Sequence, residues 1–80
     1  MMKAVWSVKF MDWVEEERKY KHVFTSLYGG SRKARRAAID YMTLSKNCSG
    51  VNTHEYSKRF YTITADTGVA HCIISKEVVL

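Results

Sequence analysis

The sequence predicts an α+β domain of two layers, a four-stranded antiparallel sheet in the order β-β-α-β-β with one helix packed on one face. Three observations carry this. Apolar residues alternate with a period of two near the N-terminus and again in two stretches after residue 57, the mark of half-buried strands. Between them one segment carries small apolar residues at spacings of three and four, the mark of an amphipathic helix. The sharpest breaks fall on Gly, Asn, Asp and Ser in a chain that has no proline. Eighty residues suffice for one small core and not for two, so residues 1–80 read as a single domain. Hydrophobic residues at 46% and charged residues at 26% exclude a disordered chain.

The first strand runs from Lys3 to Met11, with Ala4, Trp6, Val8 and Phe10 on one face and Ser7 and Lys9 between them. Asp12 to Lys21 (DWVEEERKYK) has too few apolar positions for a core-facing helix and reads as an exposed hairpin connection that continues both strands. His22 to Tyr28 (HVFTSLY), aromatic and β-branched, is the second strand; its inward set is either Val23 with Leu27 or Phe24 with Tyr28. Gly29-Gly30 breaks this strand, and Ser31 is a natural N-cap. The helix spans about Arg32 to Lys46, with Ala34, Ala37, Ala38, Tyr41, Met42 and Ser45 as its buried stripe. Asn47-Cys48-Ser49-Gly50 ends it, with Asn47 or Gly50 placed for a left-handed residue. Val51 to Ser57 (VNTHEYS) has weak patterning and reads as a loop or the start of a strand. Lys58 to Ala65 is the third strand, Asp66-Thr67-Gly68 a hairpin loop, and Val69 to Ser75 the fourth strand, which Lys76 to Leu80 extends or pairs along an edge.

Charge is local. Thirteen Lys and Arg face eight Asp and Glu, and four of the thirteen, Arg32, Lys33, Arg35 and Arg36, crowd into the helix start. Helix N-termini already carry partial positive charge, so this placement costs stability and suits a phosphate or carboxylate partner. The bland alternative is a solvated face neutralised by Glu15 to Glu17 and Asp40. Lys58 and Arg59 precede Phe60 and Tyr61, a basic-aromatic pattern that can stack and neutralise a nucleic acid. Trp6, Phe10 and Tyr61 are expected in the core. Trp13, Tyr20, Tyr28 and Tyr56 lie near strand ends or loops and are expected on a partner surface.

Catalytic and metal signatures are missing. His22, His54 and His71 with Cys48 and Cys72 show no Cys-x-x-Cys, and His54-Glu55 is followed by Lys58 where a zinc-binding helix needs its second His. His71 and Cys72 are adjacent on a strand and point to opposite faces, so they do not form a nucleophile and base. No metal, cofactor or enzymatic activity is expected, and the two cysteines read as free thiols. No apolar run approaches the ~20 residues that span a bilayer and no signal-peptide pattern opens the chain, so a cytoplasmic location is expected.

The opening strand MKAVWSVKF, a second strand, and a helix of the form S-R-K-A-R-R-A-A-I entered directly from it resemble small phage-encoded proteins that block host defence, the anti-CRISPR proteins among them. The resemblance covers roughly residues 2 to 45, in size, element order and the Ser-x-x-Ala-x-x-x-Ala helix start. It implies a non-enzymatic inhibitor in the host cytoplasm. The chain is also similar to AP2 and integrase-arm DNA-binding domains, in which a sheet packs on an alanine-rich helix; it departs from them in having two strands before the helix and two more after it. No residue role carries over from either family. The expected function is therefore docking on, and blocking, a host protein or nucleoprotein complex through Arg32, Lys33, Arg35 and Arg36 beside the exposed aromatics. The alternative is direct DNA or RNA binding through those four cations with Lys58 and Arg59.

Overall fold

The computed structural model describes residues 3–79. The element order is β1 (Lys3–Val14), β2 (Lys19–Tyr28), α1 (Ser31–Asp40), a π-helical turn (Tyr41–Ser45), β3 (Val51–Ser57), β4 (Phe60–Ala65) and β5 (Ala70–Val79). The fold is α+β, but the sheet has five strands where the sequence predicts four. Its order is β2-β1-β5-β4-β3, antiparallel at every step. The additional strand is Val51–Ser57, expected as a loop or the start of a strand. It lies at the sheet edge, paired only with β4, and all its residues but Val51 are exposed. An edge strand outside the helix's shadow has no buried face, so alternation never marks it.

The first hairpin is as expected, with both strands continued to a turn at Glu15–Arg18; Arg18 takes a positive φ of 53° and its N–H bonds to the Val14 carbonyl. The helix-facing side of β2 is Phe24 with Tyr28. Phe24 lies opposite Phe10, the rings stacked with centroids 4.3 Å apart, and Tyr28 lies opposite Trp6. The pairing slips at Phe10–Met11, where Val23 is the extra residue on β2. Apolar residues stand on both faces of this edge strand and none of Val23, Phe24 and Leu27 is buried, which is why either inward set fits the sequence. On the C-terminal side Gly68 holds the β4–β5 hairpin with φ 80°, and β5 continues to Val79; Leu80 lies outside the described residues.

The helix covers the face that carries Val8, Phe10, Tyr61, Ile63, Cys72 and Ile74. Ala34, Ala38 and Met42 are fully buried against it, and Ala37 and Tyr41 are partly buried. Three details differ from the sequence reading. Gly30, extended, is the N-cap, and no side chain caps the helix, so Ser31 is the first helical residue instead. Ser45 is exposed and does not join the stripe. The last turn widens to a π-helix, which rotates the side chains after Tyr41 out of a strict 3.6 period. Tyr41 is tied down by donating its hydroxyl to Asp12 Oδ1 at 2.6 Å, while Lys46 Nζ bonds Asp12 Oδ2 at 2.7 Å. Asn47, φ 53°, then takes the left-handed position.

Among the described residues no helix covers the other sheet face. Cross-strand rows run over it. One is Leu27, Ser7, Ser75 and Phe60, and the next is Thr25, Lys9, Ile73, Thr62 and His54.

Candidate functional site

Arg32, Lys33, Arg35 and Arg36 are all exposed on α1, because Ala34 and Ala38 take the buried positions between and after them. There is no acidic residue in the first turn to offset them. Arg36 Nε lies 3.5 Å from Asp40 Oδ1, but both side chains are well exposed and such a pair neutralises little. Two of the three hairpin carboxylates that the sequence offers as counter-charges are engaged in their own hairpin. Glu17 pairs with Lys21, and Glu15 accepts the Trp13 indole N–H at 2.7 Å. Neither is seen paired with the helix cluster.

Lys58 and Arg59 form the turn between β3 and β4 rather than the start of a strand. The turn is held by Arg59 N–H donating to Ser57 Oγ at 3.2 Å and by the Arg59 carbonyl accepting the Lys76 N–H at 2.8 Å. Tyr61, two residues further on, links this turn to the helix start. Its hydroxyl donates to the Ser31 carbonyl at 3.3 Å, and the Arg35 guanidinium carbon stands 4.7 Å from its ring centroid. Cation–π contact and the buried ring together hold Arg35 in place. The fold thus brings Lys58 and Arg59 to the same end of the molecule as the helix cluster. Lys76, opposite Trp6 on the helix side, adds to that end; Glu55, opposite Tyr61, and Glu77, opposite Val5, are the acids in its register.

The aromatic candidates separate. Tyr56 is 63% exposed, one residue short of the end of β3 and two before Lys58. Trp13, 38% exposed, and Tyr20 lie at the other end of the sheet, edge to face with centroids 5.2 Å apart, and the Tyr20 hydroxyl donates to the Gly68 carbonyl at 2.8 Å. They do not join the basic end. Tyr28 is corrected from partner surface to packing: it is half-buried against the core on the helix side. Trp6 is partly buried in tilted contact with Tyr61, and Phe10 and Tyr61 are core as expected. The sequence reading weighs His54 only as a metal ligand and Lys76 only as a strand extension, and places neither on the partner surface. His54 stands in the weakly patterned segment, and Lys76 acquires its place only from pairing with β1.

The titratable groups inside the fold are tuned by burial. Burial pushes the Cys72 thiol up to about 12, with the Asp12 charge adding to it, so at neutral pH it is a protonated thiol and no nucleophile. Burial raises Tyr41, reinforced by its bond to Asp12, and lowers His71 below its usual 6.5. His71 Nδ1 is hydrogen-bonded to Thr64 Oγ1 at 2.7 Å on the open face, while Cys72 points into the core, as their adjacency on a strand requires. Cys48 and Cys72 are both buried and unbonded. Among the described residues no group of three or more His, Cys, Asp or Glu is placed to hold a metal ion, and no helix is long and apolar enough to cross a membrane.

Comparison with protein families, with curated proteins and with solved structures finds no match to this chain.

Proposed function

We propose that the chain is a non-enzymatic binding protein that docks through its basic end on nucleic acid, free or within a nucleoprotein complex, and acts by occluding what it covers. The observation that carries this is the exposed cluster Arg32, Lys33, Arg35 and Arg36 with no acid in the first helical turn, and the Lys58–Arg59 turn near Tyr61, whose hydroxyl reaches the Ser31 carbonyl and whose ring lies against Arg35. Two segments more than twenty residues apart then carry their cations at one end of the molecule, where a polyanion can make contacts spread over several phosphates. Mobility-shift or anisotropy titrations across a salt series test it. If about four phosphates are neutralised, the log-log slope is near −3, and replacing Arg32 and Arg36 together by Ala should flatten it. Absence of any complex with DNA or RNA at low salt refutes the reading.

A second reading is docking on a host protein, as small phage-encoded inhibitors of host defence do. It is favoured by Val23 and Leu27, 49% and 63% exposed on the edge strand β2. Affinity capture from a host lysate that yields no stoichiometric protein partner would remove it.

A further inference from the structure

We propose that the nucleic acid is single-stranded and that its bases stack on an exposed cluster of three rings, His54, Tyr56 and Phe60, on the open side of the β3–β4 hairpin; this rests on the nucleic-acid reading above and names its substrate class. His54 and Tyr56 have ring centroids 4.4 Å apart, and Tyr56 and Phe60 5.4 Å apart. All three are exposed, Tyr56 at 63% and Phe60 at 39%. The cluster exists because β3 is bulged. Glu55 pairs with Tyr61 and Ser57 with Phe60, so Tyr56 is the extra residue, and its ring falls between those of His54 and Phe60. Among the described residues no strand lies beyond β3 and no helix covers this face, so none of them packs over the rings.

Charge decides the occupant. The two ring-bearing strands are joined by Lys58 and Arg59, so a backbone phosphate held at the turn leaves the adjoining bases over the rings. An apolar peptide would use the rings but not the cations. A duplex would use the cations but not the rings, since its base faces are hidden in the stack. A single strand uses both, the combination by which proteins grip unpaired bases. Beside Phe60 the row continues through Ser75 and the buried Ser7, whose hydroxyls are 3.0 Å apart and satisfy each other, so the stacking surface is the ring cluster itself.

The test uses the full chain and fluorescent oligonucleotides of about 12 nucleotides, single-stranded DNA, single-stranded RNA and a duplex of the same length, titrated at one salt concentration. The expected result is single-strand binding at least tenfold tighter than duplex binding. Tyr56→Ala and Phe60→Ala should each weaken it roughly 5- to 100-fold without changing the salt slope, and Tyr56→Phe should restore it. Equal affinity for both forms, or Tyr56→Ala without effect in a variant whose melting is unchanged, overturns the single-strand proposal and leaves the basic-end reading standing. Failure to bind any oligonucleotide overturns both.

Discussion

Replacing Ala38 by tryptophan should lift α1 from the sheet. Ala38 has no exposed surface, and neither do Ala34 one turn before it and Met42 one turn after. Beneath them Val8 and Ile74 are equally inaccessible, so an indole has no void to enter and no solvent to lean into. Overpacking of this kind costs about 1 to 3 kcal/mol. A chain of this length holds about 8 kcal/mol in total at roughly 0.1 kcal/mol per residue, and a loss of about 2 kcal/mol lowers the melting temperature by about 10 °C. Arg36→Ala is the paired control. Its side chain is 79% exposed and its one ion pair, to Asp40, is a surface contact, so its melting point should stay within a few degrees while nucleic-acid binding weakens. Thermal melts followed by circular dichroism read both. If Arg36→Ala unfolds the domain and Ala38→Trp melts normally, the helix is rotated from the phase described here and the basic cluster is buried structure.

Asp12 ties the π-helical turn to β1 through two bonds, so Asp12→Ala should destabilise by about 1 to 3 kcal/mol and Tyr41→Phe by only about 1 kcal/mol; equal urea midpoints would show that the Lys46 contact contributes nothing. His71 is held below its unfolded value of 6.5 by burial, so the unfolded chain binds a proton that the folded chain does not. Stability should therefore fall as pH drops from 6.5, and the difference between the parent and His71→Gln should narrow over that range; a difference independent of pH contradicts the assignment.

Much of the architecture is legible in the residues alone. Trp6, Val8 and Phe10 alternate because β1 is covered on one face only, and Ala34, Ala38 and Met42 recur at helical spacing because they lie on that face. Gly68 marks its hairpin by the positive φ the turn needs. Local patterns of this kind record which side of each element is buried. They are silent where nothing is buried, as along Val51–Ser57, and ambiguous where apolar residues stand on both faces of an edge strand, as at Val23, Phe24 and Leu27.

What the sequence by itself determined is the α+β class, the helix and its buried stripe, and the presence of one concentrated basic cluster. Only the tertiary structure decided the fifth strand, the central place of β5 between β1 and β4, and the docking of the helix start on Tyr61, near the Lys58–Arg59 turn. The reason is physical: periodicity encodes the environment of neighbours in the chain, whereas strand order and the joining of distant charges arise from long-range pairing, which leaves no local period to read.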